Sequence, residues 1–176
     1  MRIRTVYIFI LLSLISYRCG IYSFTGATLS ADIKTISFQK FFDEAGTGPP
    51  TLSQKFTEEI KEYFQRNTSL NLVDNEGDLQ LEGSIVGYRI TPIAPKATGN
   101  RNFPDADVAG LQRLTITIKT TYINTKDEEK DFDKPFSFYA DYDPETRTLN
   151  SIENELIDEI FKQIILDIFN ATIADW

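Results

Sequence analysis

Residues Leu111 to Thr125 read LQRLTITIKTTYINT. Leu114, Ile116, Ile118 and Tyr122 fall on one parity; Arg113, Thr115, Thr117 and Lys119 fall on the other. Side chains of a strand point alternately to opposite faces, so this stretch predicts a strand with one buried and one wet face, as antiparallel sheets have. Asn124 to Asp131 (NTKDEEKD) then reads as a charged hairpin turn, and Phe132 to Tyr142 repeats the alternation, with Phe132, Phe136, Phe138, Ala140 and Tyr142 on one side. Pro135 cannot donate to a ladder, which predicts an edge strand. A hairpin with one apolar face needs a layer to cover it.

The cover lies downstream. Beyond the turn Asp143-Pro144-Glu145-Thr146, Asn150 is a candidate N-cap with Glu153 three residues on. Ile152, Leu156, Ile157, Ile160, Phe161, Ile164, Ile165, Ile168 and Phe169 then form a broad helical stripe, predicting a central core helix. Upstream, Asp78 to Ile90 (DLQLEGSIVGYRI) predicts another strand. Leu79, Leu81 and Ile85 share one parity and Val86, Tyr88 and Ile90 the other, so a bulge near Gly83 or Gly87, or burial on both faces, is expected. Thr91 to Gly110 holds three prolines and excludes a long helix or central strand. Connections of that length are functional or mobile.

Further back, Thr51 and Gln54 have capping-box spacing before a helix whose apolar face is Leu52, Phe56, Ile60, Tyr63 and Phe64, fading near Arg66-Asn67. Ser69 to Asp74 reads as a short extended link, Asn75-Glu76-Gly77 as a turn, and Ile33 to Phe42 as the first strand, closed by the loop Asp43 to Pro50. The order β-α-β-β-β-α predicts an α+β two-layer sandwich, a four-stranded sheet with two helices packed on one face.

The N-terminus is of another kind. Arg2 and Arg4 precede an apolar run, Val6 to Ile15, and the single cysteine, Cys19, follows it. A basic head and an apolar run of about 7–15 residues read as a secretory signal. A lone cysteine at its end reads as a bacterial lipoprotein signal, cut before Cys19 and acylated on its thiol. The three residues before it are Ser16, Tyr17 and Arg18, where a lipobox usually starts with Leu and ends with small residues. A conventional signal with Cys19 left as a thiol, or Cys19 as a buried core residue, is the alternative. The chain is thus divided into a lipoprotein signal at 1–18, a lipid-anchored tether at 19–30 and a single α+β domain at 31–176.

Removing the signal leaves 158 residues with 15 basic against 26 acidic groups, a net charge of −11. That sign opposes binding to nucleic acid and electrostatic adhesion to an anionic bilayer, leaving membrane attachment to lipid on Cys19. The chain has no histidine and one cysteine, which removes histidine-based triads and thiolate metal sites. Asp105 and Asp107, the run Asp127 to Asp131, and Asp141 with Asp143 are carboxylate groupings without a metal or acid–base pattern around them. No catalytic residue, cofactor site or metal site is predicted. The polar row Thr115, Thr117, Lys119 and Thr121 could present a partner surface or simply be hydrated.

Several segments together, Cys19 to Ala27 (CGIYSFTGA), the first strand, Pro50 to Phe64 (PTLSQKFTEEIKEYF), Gln112 to Thr115 (QRLT), Phe136 to Tyr142 (FSFYADY) and Asp167 to Asn170 (DIFN), resemble the Bacteroidetes branch of the lipopolysaccharide-assembly lipoprotein family LptE. The resemblance implies an outer-membrane, periplasm-facing lipoprotein that catalyses no reaction. It implies two helices on one side of a four-stranded sheet. It also implies a role as plug and assembly partner of the translocon β-barrel LptD, with lipopolysaccharide itself a second candidate partner. Lys96, Arg101 and Arg113, in or beside the long loop, are the basic groups that could meet lipid phosphates. The alternative function is a stand-alone lipoprotein holding a small apolar or glycolipid ligand between sheet and helices.

Overall fold

A computed structural model describes residues 29–93 and 110–173. The elements are β1 (Thr35–Phe38), β2 (Phe42–Asp43), α1 (Leu52–Asn67), β3 (Asn71–Val73), β4 (Leu79–Pro92), β5 (Gln112–Asn124), β6 (Phe132–Tyr142) and α2 (Leu149–Ile173). They form one mixed sheet in the order β3-β1-β4-β5-β6, with β2 paired to β4 beyond the end of β1.

The α+β class and the two helices agree with the expectation; the four-stranded sheet does not. The first predicted strand is interrupted at Gln39–Phe41 and enters the sheet as two pieces, both parallel to β4. The stretch taken as an extended link contains β3, which pairs parallel with β1, Thr35 against Asn71. Parallel neighbours need a crossover, and α1 supplies it. Just before β4, Asp78 ties these pieces together. Its Oδ2 accepts from the backbone N–H of Lys34 (2.9 Å) and Thr35 (3.0 Å) and from the Thr35 hydroxyl (2.9 Å), while Lys126 Nζ lies 3.0 Å from Oδ1. These donors hold the Asp78 carboxyl well below the usual carboxylate range, the Lys34 amide contributing most.

The predicted hairpin is present, β5 running antiparallel to β6 with Ile116 opposite Phe138. Pro135 sits on β6, at the sheet edge. The predicted bulge is also present. The β4–β5 register shifts between Ile85 and Gly87, so Ile85 faces Ile118 and Tyr88 faces Ile116 on the same side. One extra residue thereby turns Tyr88 back to the core side of Ile85, while Val86 stays outward.

The helices start differently from the prediction. Thr51, in αR conformation (φ −91°, ψ 0°), makes no side-chain cap bond, and Gln54 donates to Glu58 instead (2.9 Å). A cap hydroxyl reaches the first amides from an extended residue, and this backbone is already helical. Asn150 lies inside the first turn of α2; the Ser151 N–H and hydroxyl both donate to the Thr148 carbonyl.

The core lies between sheet and helices. Rings run edge to face from strand to helix to helix: Phe41 meets Phe56 and Phe56 meets Phe161, each at 4.9 Å, while Phe38 meets Phe64 (5.2 Å) and Phe64 meets Phe169 (5.0 Å). Phe56, Phe64, Phe161, Ile160, Ile164 and Ile168 are fully buried. Gly83 makes room for this stack. A Cβ there would lie 2.2 Å from the Lys119 carbonyl and 2.7 Å from the Phe41 ring. Tyr122, buried, donates to the Thr172 carbonyl in the last turn of α2 (3.3 Å), and burial pushes its phenol up to about 12.

Candidate functional site

Alternation along β5 places one row of side chains on the sheet face turned away from the helices. Arg113 opens the row. Its Nε and Nη2 donate to the two oxygens of Asp141 on β6 (2.7 and 2.8 Å), and its guanidinium lies 3.5 Å from the centre of the Tyr139 ring. The two-point pairing with Asp141 raises the Arg113 pKa further. Thr117 shares a hydrogen bond with Ser137 (2.9 Å). Lys119 pairs with Asp133 (2.8 Å), and the Thr121 hydroxyl donates to the same carboxylate (3.3 Å). The Lys119 ammonium draws the Asp133 carboxyl below its ordinary value. The row expected as a polar face is therefore a ladder of cross-strand pairs: Arg113–Asp141, Thr117–Ser137 and Thr121–Asp133 are directly opposite, and Lys119 reaches Asp133 on the diagonal.

Apolar groups break through this polar surface. Phe42 is 63 % exposed, Tyr139 45 %, Val86 41 % and Ile123 38 %. Phe42 reaches the face because β2 pairs with β4 in a register that sets it against Ser84, itself opposite Lys119. Where the first strand leaves β4 between its two pieces, a hollow of about 410 Å³ opens on the outer side, lined by Lys40, Phe42, Glu44, Glu82 and Lys119 among others. A second hollow, of about 320 Å³, lies beside the start of β3, lined by Leu29, Ile33, Lys34, Leu70 and Asn71 among others.

Of the residues singled out in the sequence, Cys19, Lys96 and Arg101 lie outside the described residues, as do Asp105 and Asp107. Arg113 is described, and is occupied by Asp141 and Tyr139 rather than held free for a ligand. Asp141 and Asp143 do not form a pair: the first is bound to Arg113 and the second accepts the Glu145 N–H in a turn (2.9 Å). Asp131 accepts the Asn124 N–H (2.7 Å) and so closes the hairpin turn. Among the described residues no three carboxylates or thiols are grouped as a metal site, and no helix is long and apolar enough to cross a membrane. Sequence reasoning missed Phe42 and Val86. Their signals were the doublet Phe41-Phe42, of which only one ring can enter the core, and the place of Val86 directly after Ile85, which alternation turns outward.

The helix layer carries a different charge. On α2, Glu153, Glu155, Asp158, Glu159 and Asp167 stand against Lys162. Lys55 of α1 bridges to Asp158, and Arg147 pairs with Glu155 just before α2 (2.5 Å). Tyr88, nearly buried, donates to Glu153 (2.6 Å).

A family model described as "LptE: Lipopolysaccharide-assembly" matches residues 33–172. No curated protein matches the chain. Among solved structures, a minor lipoprotein from Acinetobacter baumannii is 14 % identical with a TM-score of 0.49, the match covering 79 % of this chain and 90 % of that one. Rare lipoprotein B from Shewanella oneidensis is 14 % identical with a TM-score of 0.46, covering 78 % and 90 %. A hypothetical protein from Chlamydia trachomatis is 8 % identical with a TM-score of 0.49, covering 81 % and 99 %.

Proposed function

This chain belongs to the lipopolysaccharide-assembly family LptE, and on that premise we propose that it is a non-enzymatic outer-membrane lipoprotein, anchored through lipid on Cys19 and facing the periplasm. Its work is to plug and help assemble the β-barrel through which lipopolysaccharide crosses the outer membrane, an LptD-type translocon. The observation that carries the reading is the family match, which spans nearly the whole described domain from β1 to the last turn of α2.

The packing supports this reading over a stand-alone ligand binder. A carrier of an apolar or glycolipid ligand needs a cavity of a few hundred cubic ångströms between its layers. Here that space is filled by the Phe41-Phe56-Phe161 and Phe38-Phe64-Phe169 stacks, and both hollows described above open on the surface. Contact with lipid phosphates is assigned to Lys96 and Arg101, with Arg113 beside them. Arg113 would have to exchange Asp141 for phosphate. Unchanged lipopolysaccharide binding after replacing all three by alanine would remove that assignment.

The test is a mild-detergent pull-down of the tagged protein from its own outer membrane, with mass spectrometry of what accompanies it. A large β-barrel in near-stoichiometric yield is expected. Recovery of the protein alone would count against the plug.

A further inference from the structure

The mature chain is strongly acidic, yet its charge is unevenly spread. The acidic excess of α2 lies on the helix layer. The outer face of the sheet is balanced. Its cations are Lys40, Arg89, Arg113 and Lys119. Against them stand Glu44, Glu82, Asp133 and Asp141. Two of these cations are already bonded to two of the anions, so covering them with a partner strips less water from unpaired charge than covering the helices would. The same face carries Phe42, Val86, Ile123 and Tyr139, and the hollow beside Phe42. Aromatic and arginine side chains set among paired charges are the composition of protein–protein interfaces. An anionic lipid layer would instead demand an excess of cations, which this face lacks.

Resting on the function proposed above, we infer that the outer sheet face, not the helix layer, is the surface that docks against the barrel protein. The matching wall is a protein surface rich in hydroxyls and small apolar groups, with side chains able to enter the hollow beside Phe42. The helices then face away, their acidic groups left in water. Val86 is part of this surface because it follows inward-facing Ile85 on β4.

The experiment uses the full-length protein in its own outer membrane. Benzoylphenylalanine is placed singly at Phe42, Val86 or Ile123, and for comparison at Lys162 or Leu166 on the exposed side of α2. Illumination is expected to join the barrel, identified by mass spectrometry, from the three sheet positions several-fold more strongly than from α2. Phe42→Glu combined with Ile123→Glu should lower co-purification of the barrel while Leu166→Glu leaves it unchanged, with thermal melts confirming that each variant folds. Barrel adducts confined to α2 would overturn the inference and leave the plug reading standing. A lipopolysaccharide ladder from Phe42, Val86 or Ile123 in place of a barrel adduct would also overturn it. If unmodified protein is recovered without the barrel and no position yields an adduct, both readings fall.

Discussion

Asp78 joins three segments that are far apart in sequence: the approach to β1, the start of β4 and, through Lys126, the β5–β6 turn. Its carboxyl is held ionised below the usual range, so the sign of its pH effect is set. A carboxylate whose pKa is lower folded than unfolded adds stability above the unfolded value, near 4, and loses it as pH falls through the folded value. Asp78→Asn is therefore expected to lower the thermal midpoint at pH 7 and to flatten the loss of stability on acidification below about pH 4. Equal slopes for both proteins in acid melts would refute this. Thr120 makes the opposite case. Its hydroxyl is buried without a partner among the described residues, and an unmet buried polar group costs about 1–3 kcal/mol. Thr120→Val, which keeps the shape, should raise stability by about 1 kcal/mol in urea unfolding. Gly83→Ala, by contrast, would drive a methyl into the Lys119 carbonyl and the Phe41 ring, and a loss of about 1–3 kcal/mol or more is expected from the same measurement.

At the scale of elements, legibility followed distance along the chain. The β5–β6 hairpin and the apolar stripe of α2 could be read because periodicity is local and each runs for ten residues or more. The bulge was readable for the same reason, as a break in a pattern. β3 was not: three residues of SLNLVD carry no period, and what makes them a strand is β1, which pairs with them from across a whole helix. The Thr51 capping box failed because spacing offers a partner but backbone angle decides whether the hydroxyl can reach it, and the Asn150 box because the helix begins one residue before it. Pro135 was legible as an edge signal, and the edge it marks is long. Unpaired strand edges invite pairing with other chains, and proline interrupts that. Pro135→Val should increase self-association of the soluble domain in sedimentation velocity. Unchanged sedimentation would show that the edge is protected without the proline.

For the whole molecule, the proposed anchor predicts a partition. Cys19→Ala should release the protein from membranes into a detergent-free wash, whereas the unsubstituted protein stays with the outer membrane; equal release of both would remove lipid from the account. The candidate docking face was only partly legible. Its polar row could be read from Thr115 to Thr121, but its neutrality depends on which charges the sheet brings together from the segments around β2 and from β4, β5 and β6, and that is a property of register. Arg113 shows the limit of reading charge from sequence: a basic residue near a loop suggested a ligand contact, and the opposite strand supplies it with a carboxylate and a ring.

β1 lies inside the sheet, hydrogen-bonded in parallel to β3 on one side and β4 on the other, and it is the first strand among the described residues. A pull on an anchor upstream would run lengthwise along that strand. Bonds on both flanks would then bear the force together, in shear, rather than opening one after another as at a frayed edge. A domain hung by the proposed anchor would resist being unravelled by its own leash.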